Sequence, residues 1–301
     1  MDQAIQFIGN PEALRDPILI VAVRGTGANT TAAVADLFES YEPQVVASID
    51  PDEFFDFSVA RPQVRTVDGQ RVIMWPDARF LKVALEDRDL VLLSIVEPSL
   101  RWRRLAVLVH EMAEALGIGE AIVLSSFGGA TPHTRPIPIH WVTGSPNTPT
   151  RFGIEPRPPR YRGPATFTMA LGALLRDAGM TIGTLNAIAP FYLGVDPNPY
   201  AVRALAHALE GEFDLHFDLD NVEQHIIDVE RQAALQLESS EDLRVFHSNL
   251  EQEYDEAASP RGGAPAESTD ERGETKAYLP ETEQILADVE ALLREADADP
   301  S

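Results

Sequence analysis

The chain has 301 residues, 48 acids against 24 bases for a net charge of −24, and no cysteine. The missing cysteines exclude disulfides, thiolate catalysis and thiolate-bound metals. The first ten residues hold neither a basic segment nor a long apolar run, so no signal peptide is expected. The longest apolar stretches, 18–23 and 90–96, fall far short of the roughly 20 residues of a membrane span. Together these features predict a soluble, cytoplasmic protein with no membrane partner.

The charge is uneven. Residues 1–209 carry 22 acids and 18 bases, a net of −4, whereas residues 210–301 carry 26 acids and 6 bases, a net of −20. That C-terminal third repels duplex DNA, so no nucleic-acid partner is expected.

In chain order, 18–23 is a continuous β-branched run, the pattern of a strand buried on both faces. Gly25, Thr26 and Gly27 follow, then helical spacing over 29–40. Residues 44–49 read as a strand. Asp68 and Gly69 between 63–66 and 71–74 mark a β-hairpin. Strand 90–96 leads to a helix over 103–116, with Gly117 in the C-cap position and Ser99 placed to cap its start. Strands are predicted at 121–126 and 137–142, with Phe127, Gly128 and Gly129 as a flexible turn. A helix over 166–178, a strand over 184–189 and a helix from Pro199 follow. Alternating strands and helices predict a three-layer α/β/α core with a mixed sheet over 1–210. Helical patterns at 221–237 and 240–254 predict a helical hairpin, residues 211–256, packed on the core. Residues 257–279 have the composition of a disordered linker. The acidic tail, 280–301, holds one amphipathic stretch whose apolar stripe includes Ile285, Leu286, Val289 and Leu292, the spacing of a docking helix.

Three places carry candidate chemistry. Gly25, Thr26 and Gly27 sit where backbone N–H groups approach an anion; with no third glycine and no Gly-Lys-Ser/Thr, a tight strand-to-helix turn is the plainer reading. His133, Thr134 and Arg135 follow a strand and combine an imidazole with a guanidinium, suited to an anion or to proton transfer. The plainer reading is a loop pinned by two prolines, with Arg135 paired to a core carboxylate. Glu97, Arg101 and Trp102 follow another strand, and Trp with Arg is a favoured interface pair. Asp50, Asp52, Glu53 and Asp56 lack the glycine and terminal Glu of a calcium loop. No metal site, cofactor or catalytic residue is assigned.

Several short motifs together resemble the proteasome assembly chaperone 2 family, in its actinobacterial branch. They are Ile49-Asp-Pro-Asp-Glu-Phe-Phe-Asp-Phe57 with Arg61-Pro62, Glu97-Pro-Ser-Leu-Arg-Trp102, Pro132-His-Thr-Arg-Pro136, Tyr161-Arg-Gly-Pro164, Pro190-Phe-Tyr-Leu193 with Pro197-Asn-Pro199, and Leu250-Glu-Gln-Glu-Tyr-Asp255. The resemblance spans residues 15–255. It implies a phosphorylase/hydrolase-like α/β/α core and self-assembly into homo-oligomers, a trimer among them. It also implies a non-enzymatic assembly role, with proteasome subunits as candidate partners. Eukaryotic relatives chaperone the proteasome α-ring, some through a hydrophobic-Tyr-x C-terminus; this chain ends Ala298-Asp-Pro-Ser301 instead. The alternative is a binder of a small anion or nucleotide, or a ligase-like enzyme, using the loops at the strand ends.

Overall fold

The computed structural model describes residues 4–8, 14–25, 29–67, 69–145 and 148–258. They fall into two compact units. The first comprises Met1–Pro159 and Pro164–Glu253. The second takes Arg160–Gly163 and the chain from Tyr254 onward; its described part is that loop and the end of the last helix.

Among the described residues ten strands form: β1 (Ile5–Phe7), β2 (Ile18–Arg24), β3 (Gln44–Ile49), β4 (Gln63–Val67), β5 (Gln70–Met74), β6 (Ala78–Ala84), β7 (Asp89–Val96), β8 (Glu120–Gly129), β9 (Ile139–Val142) and β10 (Thr181–Pro190). Eight of them make one mixed sheet in the order β1-β3-β6-β7-β2-β8-β10-β9. The run β7-β2-β8-β10 is parallel, and the pairs outside it are antiparallel. Six α-helices accompany them among the described residues: α1 (Asn29–Asp36), α2 (Trp102–Ala115), α3 (Phe167–Asp177), α4 (Pro199–Phe213), α5 (Asp220–Ser239) and α6 (Glu241–Ala258).

Strand β2 explains the layering. Its side chains alternate between two cores. Leu19, Val21 and Val23 pack with Leu105, Leu108 and Met112 of α2 and Leu171 and Leu175 of α3. Ile18, Ile20 and Ala22 pack with Val34 of α1 and Leu205 and Leu209 of α4 on the other face. Burying its five large apolar side chains stabilises the fold by on the order of 10 kcal/mol. The entry to β7 is pinned by Asp89, which is fully buried. Its carboxylate accepts from the Arg15 backbone N–H at 2.9 Å and from the Arg15 guanidinium at 3.0 Å. Burial pushes the Asp89 carboxyl up, but the Arg15 hydrogen bonds and the Lys82 charge win and hold it below the usual carboxylate range.

The helix ends follow sequence signals. Thr166 accepts from the Met169 N–H at the start of α3, and Asn198 accepts from the Ala201 N–H at the start of α4. Gly117 and Gly179 take positive φ just beyond α2 and α3. The cap expected from Ser99 does not form. Arg101 occupies the α2 N-cap with φ 53°, and the Ser99 N–H donates to the Phe54 carbonyl at 2.9 Å.

Four expectations change in detail. Strands β1 and β6 carry no predicted signal. Phe127, Gly128 and Gly129 are not a flexible turn; they continue β8, paired with Ile188, Ala189 and Pro190 of β10. Helix α1 stops at Asp36 and gives way to a 3-10 turn, Leu37–Tyr41. The Asp-Gly hairpin exists as β4–β5, but it forms a sheet of its own, and the antiparallel strands of the main sheet lie elsewhere. Helices α5 and α6 are separated by Ser240 in extended conformation. The tail residues Ile285, Leu286, Val289 and Leu292 lie outside the described residues.

The sheet also depends on Gly183. Trp141 of β9 is fully buried, and a Cβ at position 183 on β10 would overlap its indole ring. The Trp141 indole N–H donates to the Pro149 carbonyl at 3.1 Å, which holds the ring in place. Gly183→Ala is therefore expected to destabilise the protein by about 2 kcal/mol through overpacking. In a thermal melt this reads as a Tm lowered by roughly 5 °C; an unchanged Tm would show that Trp141 moves freely.

Candidate functional site

Loops that leave neighbouring parallel strands at their carboxyl ends open a crevice where the following helices diverge to opposite faces. Here β2 feeds α1 on one face and β7 feeds α2 on the other. Gly25 and Glu97 meet at that point: a Cβ at Gly25 would lie 3.0 Å from Cβ of Glu97. Thr26 and Gly27 lie outside the described residues. Further along, a cavity of about 230 Å³ opens between the ends of β8 and β10. Its lining includes Thr30, Ser126, Phe127, Phe191 and Asp196. The Asp196 carboxylate accepts from Nδ2 of Asn29 at 3.0 Å.

His133, Thr134 and Arg135 do not line this cavity. They follow β8 and meet the 3-10 turn Phe191–Leu193, which follows β10, and helix α6. Because Gly129 and Pro190 are register partners, the two loops start side by side. The Tyr192 hydroxyl oxygen accepts from the His133 backbone N–H at 2.9 Å and lies 2.5 Å from the ring Nδ1. The hydroxyl that accepts from the amide has its own proton to give to Nδ1 of a neutral His133. On the α6 side, the Thr134 hydroxyl donates to Oε1 of Glu251 at 2.5 Å, and the Arg135 guanidinium donates to the same oxygen at 3.1 Å. Rings complete the cluster. His247 of α6 stands 4.9 Å from His133, and Tyr200 of α4 stands 6.0 Å from it. Phe246 of α6 packs against Phe191 and Tyr192.

The electrostatics follow from burial. His133 is pushed down to about 4, first by burial and then by His247, with Glu251 opposing. Burial raises the Tyr192 phenol to about 12 and raises Tyr200 further still. His133, Tyr192 and Tyr200 are thus uncharged at pH 7 beside the Arg135–Glu251 pair. Two of its buried atoms, the Tyr200 hydroxyl and Nε2 of His247, have no hydrogen-bond partner.

Glu97, Arg101 and Trp102 belong to a different corner. Arg101 pairs with Glu53 at 2.6 Å, and the Trp102 indole N–H donates to the Pro98 carbonyl at 2.6 Å. Trp102 also stacks edge-on against Phe167 of α3 at 5.8 Å. Phe54 and Phe55 are buried, so the acidic loop is anchored by its aromatics. Among the described residues, no group of three or more His, Cys, Asp or Glu side chains is placed to hold a metal ion. No described helix is long and apolar enough to cross a membrane.

Sequence reasoning missed Tyr192, Tyr200, His247 and Glu251. Tyr192 and Glu251 did lie in motifs already singled out, Pro190-Phe-Tyr-Leu193 and Leu250-Glu-Gln-Glu-Tyr-Asp255. Their clustering with the His133 motif was the available signal.

A third feature is the β4–β5 ribbon. Nine of its ten residues are exposed, so neither of its faces packs on the core. Val64 and Ile73 are cross-strand partners and are 65% and 57% exposed. Trp75, just beyond β5, touches Phe57 at 4.9 Å and remains half exposed.

The motifs, the sheet and the C-terminal helices together define a class. The PAC2 family pattern matches residues 19–237, and the chain belongs to that family. A PAC2 family protein from Streptomyces avermitilis is 30% identical, with a TM-score of 0.60, over 80% of this chain and 97% of that one. The proteasome-assembly chaperone homologue of Mycobacterium tuberculosis is 28% identical, with a TM-score of 0.63, over 76% of this chain and 99% of its own. A Corynebacterium glutamicum protein of unknown function shares the fold at 24% identity and a TM-score of 0.71, over 86% of this chain and 100% of its own. No protein with a curated description matches significantly.

Replacing Tyr192 by Phe removes the partner of both the His133 amide and its Nδ1. Two buried polar atoms left unpaired are expected to cost about 1–3 kcal/mol. Chemical denaturation would measure this as a lower midpoint; an unchanged midpoint would show that water replaces the hydroxyl without loss.

Proposed function

We propose that the chain is a cytoplasmic, non-enzymatic assembly protein that works by binding other proteins, beginning with copies of itself through the β4–β5 ribbon. The observation that carries this reading is the ribbon's exposure. A two-stranded hairpin with both faces in water is marginally stable at best, and this one displays Val64, Ile73, Met74 and Trp75 to solvent.

Charge supports a second copy as the occupant. Two chains of −24 repel unless the contact is locally apolar or basic. Residues 61–76 contain three arginines, Arg61, Arg65 and Arg71, against one acid, Asp68. The ribbon is therefore a basic, apolar element on an acidic chain, suited to an acidic surface of an identical partner. Family membership supports the same reading, and the Mycobacterium tuberculosis relative suggests proteasome subunits as the further partners. Co-purification of a proteasomal subunit with the full chain from its native extract would support that link. Recovery of no such subunit, in any assembly state, would remove it.

The 230 Å³ cavity beside Ser126 and Asp196 favours a second reading, a small-molecule binder. Thermal-shift screening with nucleotides and phosphates distinguishes the two; a clear shift lost on Ser126→Ala would favour the small ligand.

Self-association through the ribbon is tested by paired substitution of Val64→Thr and Ile73→Thr, which keeps β-branching while removing apolar surface. Light scattering should give an oligomer for the parent chain. The variant should associate roughly 100-fold more weakly, the loss of about 3 kcal/mol of apolar burial. A parent chain that stays monomeric at high concentration, or a variant that assembles as well as the parent, would overturn the reading.

A further inference from the structure

Negative charge is concentrated away from the ribbon. Residues 210–258 hold 15 acids against Arg231 and Arg244, a net of −13, whereas residues 1–209 net −4. Several of those acids are engaged: Glu212 by Arg151, Glu223 by Arg203, Asp228 by Arg231 and Glu251 by Arg135. On α5, Asp220, Glu230 and Glu238 are exposed and have no ion-pair partner among the described residues. The inner side of α5 is defined by Ile226, Val229 and Ala233, which are buried. At about 3.6 residues per turn, the opposite side carries Asp220, Ile227, Ala234, Leu235 and Glu238. Ile227 is 48% exposed and Leu235 62%. The outer face of α5 is therefore an apolar strip bordered by carboxylates, and the described fold leaves it uncovered.

The ribbon has the complementary character. Its register places Arg71 opposite Thr66 on the face of Val64 and Ile73, and Arg65 opposite Val72 on the face of Val67 and Met74. Each face thus joins apolar side chains to one guanidinium. Both arginines are exposed, and neither has an ion-pair partner among the described residues.

We propose that the ribbon of one copy seats on the outer face of α5 of the next, with Val64 and Ile73 against Ile227 and Leu235 and the ribbon arginines facing Glu230 and Glu238. This rests on self-association through the ribbon and adds where the ribbon lands. Two ribbons laid against each other would bring arginine to arginine, a like-charge contact that opposes pairing. Seated on α5, the ribbon meets opposite charge and covers apolar surface on both partners. The two surfaces belong to different parts of the chain, so the contact is heterologous. Each copy gives a ribbon and receives one, and the assembly closes as a ring, a reciprocal pair being the smallest.

Analytical ultracentrifugation of three full-length chains tests it: the parent, Val64→Thr with Ile73→Thr on the ribbon, and Ile227→Gln with Leu235→Gln on α5. The parent should assemble, and each variant alone should associate roughly 100-fold more weakly. Mixed, the two variants should form a one-to-one complex, because one keeps an intact α5 face and the other an intact ribbon. A parent that assembles beside an α5 variant that assembles equally well overturns this contact and leaves the ribbon's role in self-association standing. A monomeric parent overturns both. Mixed variants that remain monomeric overturn the contact. Charge exchange gives a second reading that does not depend on apolar truncation. Arg65→Glu with Arg71→Glu should weaken assembly about 10-fold, and adding Glu230→Arg and Glu238→Arg to that chain should restore it. Assembly that the added arginines leave as weak as before overturns the contact.

Discussion

Strand β2 offers water no face along 18–23, and the rest of the molecule is arranged to keep it that way. A strand buried on both sides needs a neighbour on each edge and a helical layer on each surface. Strands β7 and β8 supply the edges in parallel register. Parallel neighbours in turn require crossover connections, and α1 and α2 provide them on opposite faces. That divergence is the point at which Gly25 and Glu97 meet, and it sets the end of the sheet at which the loops after β8 and β10 gather. The site is thus a consequence of how one apolar segment was buried.

Much of this was legible beforehand because the strongest signals are local. Residues 18–23 and 90–96 are largely apolar, β-branched runs, the pattern of a central strand. Asn198, Pro199, Thr166 and Gly117 mark helix ends through the backbone groups they satisfy. Other elements depend on distant partners. Strand β6 exists because β3 and β7 flank it, and its mixed residues, including Lys82, carry no clear alternation. Gly128 and Gly129 look like a turn in isolation. In the fold their lack of a Cβ admits Phe191 and Ile188 on neighbouring segments, so the feature that resembled flexibility is a packing requirement.

The site was less legible for the same reason. His133 and Arg135 were visible as chemistry-bearing residues after a strand, but their partners lie 59 and 116 positions away, at Tyr192 and Glu251. The plainer reading of Arg135 pairs it to a core carboxylate, whereas its contact is with Glu251. The carboxylate belongs to a C-terminal helix rather than to the core sheet, which turns a loop motif into an attachment point for α6. The ribbon shows the reverse case. Its turn was unmistakable from Asp68 and Gly69, yet its isolation from the main sheet appears only in three dimensions. A chain with this much net negative charge that keeps a basic, apolar hairpin in solvent has a surface with no intramolecular purpose in the described structure.

We propose that this hairpin is completed by another copy of the chain. Backbone amide exchange in β4 and β5, followed across protein concentration, addresses this directly. An uncovered two-stranded ribbon exchanges rapidly, whereas one held in an interface is protected by mass action. The account predicts protection at the ribbon that grows with concentration while β2 and β7 stay constant. Amides in β4 and β5 that exchange at free-peptide rates at every concentration would contradict it.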